Sequence, residues 1–266
     1  MRVFITGGTG LIGSAVLKNL IAHGHKVFAL ARSDSSKNKL IKAGATPVMG
    51  DITQPEIWCN DLPAIDGLIH AACDFSDDMA NIDATLLDHL IPALHRQSGS
   101  VRCIYTGGLW LYPQSGPSDP ALDETIPFAP LPEFQWGEAG INRVIADPKL
   151  AGIVIHPACV FATGEHDQTG HFSRNIETAK TENRVTVIGG DNIYQPLVHA
   201  DDLADLYRLA LEHAKPGSSY IGSTIHDVST RKVAELIAKY FGSENCKIDT
   251  ISTLNAMERL GNWARG

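Results

Sequence analysis

Eight residues near the amino terminus, Thr6-Gly7-Gly8-Thr9-Gly10-Leu11-Ile12-Gly13, have the composition of a phosphate cradle. They follow the apolar run Val3-Phe4-Ile5 and lead into Leu11, Ile12, Ala15, Val16 and Leu20, which recur at helical spacing. A strand that breaks into a glycine turn and opens a helix presents unpaired backbone N–H groups and the positive end of the helix dipole to an anion, such as a dinucleotide pyrophosphate. Gly7 permits the tight turn, Gly10 lets a phosphate approach the backbone, and Gly13 lets the helix lie against its strand. Thr9, Leu11 and Ile12 belong to the same predicted contact.

A second chemical signal comes about 20 residues later, where a turn of this kind that prefers NAD carries an Asp or Glu for the ribose hydroxyls. Here the next strand ends Ala29-Leu30-Ala31-Arg32-Ser33. The carboxylate is missing, and the Arg32 guanidinium is able to clamp the extra phosphate of NADP. A hydrogen bond to a charged group is worth about 1.5–3 kcal/mol, enough for roughly ten- to hundredfold discrimination. The sequence therefore predicts NADP over NAD, against the alternative that Arg32 is a solvated loop charge.

These groups need a scaffold, and the chain supplies one. After the first strand, strand signals fall at Lys26 to Leu30, Thr46 to Gly50, Gly67 to His70, Val101 to Tyr105 and Ala151 to His156. Helical stretches lie near Ser35 to Ala43, Met79 to Gln97 and Glu133 to Ala146. Short apolar strands alternating with helices predict an α/β fold, a Rossmann-type doubly wound parallel sheet with ligands at the strands' carboxyl ends. Further on, Asp167 to Glu182, Asp201 to His213 and Thr230 to Phe241 look helical, and Val185 to Ile188 and Gln195 to Val198 look like strands. The expected division is a nucleotide-binding domain over 1–164 plus about 195–225, and a small substrate-binding cap over about 165–194 plus 226–266. The irregular stretch Leu111 to Pro132 is long enough to be functional.

Composition narrows the classes. With 266 residues the chain can bury a full core, and its net charge of −8 without a basic run argues against nucleic acid. No apolar stretch reaches a bilayer span, and the amino terminus reads as a folded strand rather than a signal sequence, so no membrane partner and a cytoplasmic location are expected. The five cysteines contain no C-x-x-C and read as reduced packing residues. Eleven histidines are present, yet His23 with His25 and His166-Asp167 with His171 lack the spacing of a zinc site, so no metal is expected. No Gly-x-Ser-x-Gly elbow suggests an esterase.

In their order and spacing these segments resemble the short-chain dehydrogenase/reductase superfamily, in its extended or atypical NAD-dependent epimerase/dehydratase-like branch. The resemblance rests on Thr6-Gly7-x-x-Gly10-x-x-Gly13, Gly50-Asp51-Ile52, His70-Ala71-Ala72, Asn81-Ile82-Asp83-Ala84-Thr85, Tyr105-Thr106-Gly107-Gly108, His156-Pro157-Ala158-Cys159-Val160-Phe161 and Val198-His199-Ala200-Asp201-Asp202-Leu203-Ala204. It implies that Asp51 and Ile52 hold the adenine, that Ala71 and Ala72 line the ribose and phosphates, and that Thr106 polarises a substrate carbonyl. It also implies that Pro157 to Val160 orient the nicotinamide, and that His199 and Asp202 are architectural. Relatives of this kind often pair through the helices near Met79 to Gln97 and Glu133 to Ala146, which points to a homodimer. They usually continue beyond the segment like Leu260 to Ala264, so the expectation is either a reading frame cut short or a cap smaller than usual.

The departure is at the centre of the chemistry. The family usually carries Tyr-x-x-x-Lys on the helix after the fifth strand, where the lysine lowers the pKa of a phenol near 10 until it can trade a proton. Here the helix reads Trp136-Gly137-Glu138-Ala139-Gly140, and none of the six tyrosines has a lysine four residues on. An indole N–H donates but does not ionise usefully. Glu138, Tyr112 and His156 are the candidate substitutes. Each has a plainer reading as a helix-surface residue, a packed ring and a buried histidine respectively. The expectation is an NADP(H)-binding oxidoreductase or epimerase-like protein acting on a small carbonyl or alcohol. The rivals are a catalytically silent nucleotide sensor and, less compatible with Asp51, Ala71 and Ala72, a structural subunit with an empty turn.

Overall fold

The computed structural model describes residues 1–74, 76–113, 121–162, 172–188 and 193–251. His166, Asp167, His171, the tail from Leu260 and the middle of the Leu111 to Pro132 stretch lie outside the described residues. The chain divides into two compact units, one of Met1–Gln114, Leu122–Pro157 and Ala200–Gly222, the other of Ser115–Ala121, Ala158–His199 and Ser223–Gly266.

In chain order the elements are β1 (Arg2–Thr6), α1 (Leu11–Ala22), β2 (Lys26–Ala31), α2 (Asp34–Lys42), β3 (Thr46–Met49), α3 (Pro55–Trp58), β4 (Gly67–His70), α4 (Met79–His95), β5 (Val101–Thr106), α5 (Gln135–Ile145) and β6 (Leu150–Pro157). They continue with β7 (Cys159–Phe161), α6 (Ser173–Glu182), β8 (Arg184–Ile188), β9 (Tyr194–His199), α7 (Ala200–His213), β10 (Ser219–Gly222), β11 (Ile225–Ser229), α8 (Thr230–Phe241) and β12 (Lys247–Ile251).

The first unit is a seven-stranded sheet in the order β10-β6-β5-β4-β1-β2-β3, parallel throughout. This is the doubly wound Rossmann-type arrangement that the alternation of strands and helices predicts. One face carries α1 packed on α7, and the other carries α4 packed on α5. The helices' buried residues repeat at three and four: Ala200, Leu203, Ala204, Tyr207 and Leu211 on α7, and Gly137, Gly140, Ile141 and Val144 on α5. Strand register sets one feature of the site. Thr6 pairs with His70 and His70 with Tyr105, so these three stand in a row across β1, β4 and β5 and share a face.

The second unit contains a three-stranded sheet, β11-β9-β7, and a parallel pair, β12-β8. Helices α6 and α8 close a small core of Ala179, Val185, Val187, Ala234 and Ile237. Among the described residues no helix is long and apolar enough to cross a membrane.

Several boundaries differ from the sequence reading for local reasons. Helix α5 starts two residues later than Glu133 because Pro132–Phe134 forms a tight 3-10 turn. Helix α4 contains Pro92 and ends at His95, short of Gln97. The sequence reading does not mark β7, β10, β11 or β12, of which β7 has only three residues.

Candidate functional site

The glycine turn has the geometry of a cradle built of backbone. Gly7 adopts φ +78°, and a Cβ there would stand 2.6 Å from the Ala71 carbonyl oxygen and 2.8 Å from the Ala72 nitrogen. A Cβ on Gly13 would collide with the Gly7 carbonyl. Both positions exclude any side chain. At Gly10 a Cβ would meet only the Gly7 carbonyl oxygen, at 3.4 Å, and Thr9 and Gly10 are exposed. Gly10 is also the N-cap of α1, which starts without a side-chain cap and without an acidic residue in its first turn, leaving its N–H groups and dipole uncompensated. Leu11 and Ile12 are half-buried at the start of the helix. A pyrophosphate fits this chemistry.

Ala71 and Ala72 lie against Gly7, with the Ala71 N–H donating to the Thr6 carbonyl at 3.2 Å. Asp51 follows β3, where its Oδ1 accepts from the Thr53 N–H and hydroxyl at 3.0 Å each, and its carbonyl accepts from Trp58 Nε1 at 2.8 Å. Ile52 is half-buried beside it. Arg32 directly follows β2, is exposed, and has no hydrogen-bond or ion-pair partner among the described residues. Pro157 closes β6 in the first unit, and Val160 is buried in β7 of the second.

The glycine at 140 has a physical explanation. Gly140 packs against the row formed by Thr6, His70 and Tyr105: a Cβ on it would lie 2.5 Å from the Tyr105 hydroxyl and 2.9 Å from Asp83 Oδ2. That space belongs to a buried chain of hydrogen bonds. The Tyr105 hydroxyl donates to Asp83 Oδ2 at 2.9 Å, His70 Nε2 meets Asp83 Oδ1 at 3.0 Å, and His70 Nδ1 meets the Thr6 hydroxyl at 2.7 Å. Burial, then the charge of Asp83, pushes the Tyr105 phenol far above its ordinary range, so it stays a donor.

At the start of α5 the chain builds an aromatic cluster. Trp110 lies 5.7 Å from Trp136 and 5.0 Å from Phe134 between ring centres. Its indole covers Gly108 and Gly137, and a Cβ at Gly137 would come within 2.6 Å of it. Trp136 Nε1 is buried and has no hydrogen-bond partner among the described residues.

Thr106 is placed differently. Adjacent residues on a strand point to opposite faces, so while Tyr105 faces α5, the Thr106 hydroxyl faces α7, 2.7 Å from the Tyr207 hydroxyl. The structure does not bring the Thr106 hydroxyl to Trp136 and Gly140. Tyr207 is fully buried, which raises its phenol well above the ordinary value and keeps its proton in place.

The three candidate substitutes separate. Glu138 is half-buried on α5. Tyr112 is packed inside, edge-on to His156 at 5.1 Å and to Phe128 at 5.2 Å, and its hydroxyl forms no well-shaped hydrogen bond although Ser219 is within reach. His156 is wholly buried with Nε2 3.0 Å from the Ser219 hydroxyl, and burial pushes it down to about 4. It is neutral at pH 7 and has no proton to lend as an acid. Sequence reasoning assigns no role to His70, Asp83, Tyr105, Tyr207 or Trp110, although His70, Asp83 and Tyr105 stand inside segments that carry the resemblance.

Comparison with known proteins places this geometry in context. A model of the NAD dependent epimerase/dehydratase family matches residues 3–222. The decarboxylating sterol-4-alpha-carboxylate 3-dehydrogenase of Dictyostelium discoideum is 33% identical over 231 residues, which cover 79% of this chain and 67% of that protein. An uncharacterized protein of Schizosaccharomyces pombe is 28% identical over 265 residues, 98% of this chain and 86% of its own. Among solved structures, human epimerase family protein SDR39U1 with NADPH shares the fold with a TM-score of 0.77 at 18% identity, covering 98% of this chain and 86% of that one.

Proposed function

The chain belongs to the NAD dependent epimerase/dehydratase family, and on that premise we propose that it binds NADP(H) and acts as an oxidoreductase on a small carbonyl or alcohol. The nucleotide supplies the hydride acceptor or donor. The chain's own residues grip, orient and polarise.

Arg32 carries the NADP assignment. It stands exposed and unpaired at the end of β2, where a carboxylate would otherwise select NAD, and a guanidinium there suits a phosphate dianion. In this reading the α1 amino terminus with Gly7, Thr9, Gly10, Leu11, Ile12 and Gly13 holds the pyrophosphate. Asp51 and Ile52 hold the adenine, Ala71 and Ala72 leave room for the sugar, and Pro157 and Val160 orient the nicotinamide. Thr106 keeps its role as the group that polarises the substrate oxygen. Tyr207 retains its proton and so has one to donate, and with Tyr207 as the donor of that pair the threonine's own O–H is free for a carbonyl.

One observation favours a second reading, a nucleotide-binding regulator without turnover: the lysine's space beside Gly140 is filled by Tyr105 and Asp83. Losing a positioned acid/base costs about 10²- to 10⁴-fold. One experiment addresses both readings. Dissociation constants for NADPH and NADH are measured by calorimetry on the wild type and on Arg32→Ala, with NADPH oxidation followed against ketones, quinones and nucleotide sugars. A preference for NADPH of about tenfold or more that disappears in Arg32→Ala supports the assignment; equal constants in the wild type reject it. Tight binding with no turnover would leave the regulator.

A further inference from the structure

Four donors hold Asp51 on the turn after β3, and one of them comes from a buried tryptophan. The Asp51 carbonyl accepts from the Gln54 N–H at 3.1 Å and from Trp58 Nε1–H at 2.8 Å. Its Oδ1 accepts from both the Thr53 N–H and the Thr53 hydroxyl. The side chain is half-buried, and its Oδ2 has no hydrogen-bond partner among the described residues. Trp58 is itself firmly seated. It is 2% exposed, and its ring stacks on Phe4 of β1 with centres 5.7 Å apart and planes 14° from parallel. The indole also lies beneath Gly50, where a Cβ would stand 2.5 Å from Trp58 Cδ1. The sheet therefore fixes the ring, the ring fixes the donor, and the donor fixes the backbone from which the Asp51 carboxylate projects.

This turn lies between the two anion sites assigned above. The Gly50 N–H donates to the Ala31 carbonyl at 3.0 Å, next to Arg32. Ile52 lines a crevice with Ala72, whose nitrogen borders Gly7 of the cradle. In NADP the group that joins the pyrophosphate to the 2′-phosphate is adenosine, so adenosine has to span the turn. A carboxylate oxygen only accepts. The 6-amino group of adenine is a donor, whereas a 6-oxo purine presents an acceptor at the same place. We propose that Trp58 is a positioning residue that aims the free Oδ2 of Asp51 at the 6-amino group of the adenine, and that the protein thereby selects adenine over 6-oxo purine dinucleotides. The inference rests on the proposal that NADP(H) is bound.

The probes are NADPH, NADH and nicotinamide hypoxanthine dinucleotide phosphate, which carries the 6-oxo base in place of adenine, with dissociation constants read by calorimetry. The wild type should bind NADPH about tenfold or more tightly than the hypoxanthine nucleotide. Trp58→Phe keeps a ring against Phe4 but has no donor and leaves space beneath Gly50. It should cut that preference by about threefold or more, while the preference for NADPH over NADH, set at Arg32, stays as it is. Weakening of all three nucleotides by one common factor would make Trp58 a purely structural residue and overturn the proposal. A wild type that binds the adenine and hypoxanthine nucleotides equally would overturn it too. A second variant leaves Trp58 in place: Asp51→Asn keeps an oxygen for the two Thr53 donors and turns the free end into an NH2 donor. Its preference should swing toward the 6-oxo base by about tenfold or more, and an unchanged preference counts against the proposal whether or not Trp58→Phe folds. If the wild type binds none of the three nucleotides, the nucleotide reading itself fails and this inference falls with it.

Discussion

Gly140→Ala is the most direct probe of why this chain has no lysine on α5. On an open helix surface the change stabilises by about 0.5–1 kcal/mol, because glycine loses more backbone freedom on folding. Here the new methyl would lie 2.5 Å from the Tyr105 hydroxyl, 2.8 Å from Tyr105 Cζ and 2.9 Å from Asp83 Oδ2. Ordinary contacts begin near 3.4 Å, so the phenol must retreat by most of an ångström. Its bond to Asp83 starts at 2.9 Å and does not survive such a shift in that direction. Losing a hydrogen bond to a charged group costs about 1.5–3 kcal/mol, and overpacking adds about 1–3 kcal/mol. Set against the helix gain, the net destabilisation is about 2–5 kcal/mol.

Urea unfolding of wild type, Gly140→Ala, Tyr105→Phe and the double variant measures this. Because the two sites touch, their costs should fall short of additivity by at least about 0.5–1 kcal/mol, the second change finding the Tyr105–Asp83 bond already gone. A Gly140→Ala protein as stable as the wild type, or more stable, would refute the account, and the missing lysine would need another explanation.

Two further predictions concern the opposite flank of the site. His156 is held down to about 4 by burial, against 6.5 for an unburied imidazole. Between those two values the unfolded chain takes up a proton and the folded chain does not, so stability falls as pH falls through that window, by about 2–3 kcal/mol on reaching pH 4.5. His156→Gln should lose that share of the acid sensitivity while keeping the remainder, read as unfolding free energies at pH 7 and 4.5; identical pH dependence in both proteins would refute it. Thr106→Val strands the buried Tyr207 hydroxyl and should cost about 1–3 kcal/mol. Adding Tyr207→Phe removes the stranded group and should recover at least half of that loss in a denaturation series, whereas additive costs would show that the pair at 2.7 Å contributes nothing jointly.

The sequence announced the features whose physics is local. Gly7 and Gly13 could be assigned because a turn from strand to helix has few solutions, and the apolar runs of β1, β4, β5 and β6 marked a parallel sheet whose connecting helices had matching periods. The row of Thr6, His70 and Tyr105 was not legible. It depends on the register of three strands, with His70 separated from Thr6 by 64 residues in the chain, and no local pattern encodes register between parallel strands. That α5 carries no lysine was visible in the sequence, whereas the packing that requires glycine at 140 was not, because it involves Tyr105 and Asp83 on other elements. Thr106 shows the complementary difficulty: its place at the end of β5 was readable, while the face its hydroxyl takes follows from strand alternation and from Tyr207 on a helix about a hundred residues away.

Two glycines on α5 answer to different neighbours. A Cβ at 140 would stand 2.5 Å from the Tyr105 hydroxyl and 2.9 Å from Asp83 Oδ2, inside the hydrogen-bond chain that joins Tyr105, Asp83 and His70. A Cβ at 137 would meet the Trp110 ring at 2.6 Å, and Trp110 in turn packs on Trp136. The polar chain and the aromatic cluster therefore press on one helix three residues apart, and each requires the absence of a side chain at its own position, which is why two glycines persist in a helix interior where each costs about 1 kcal/mol relative to alanine.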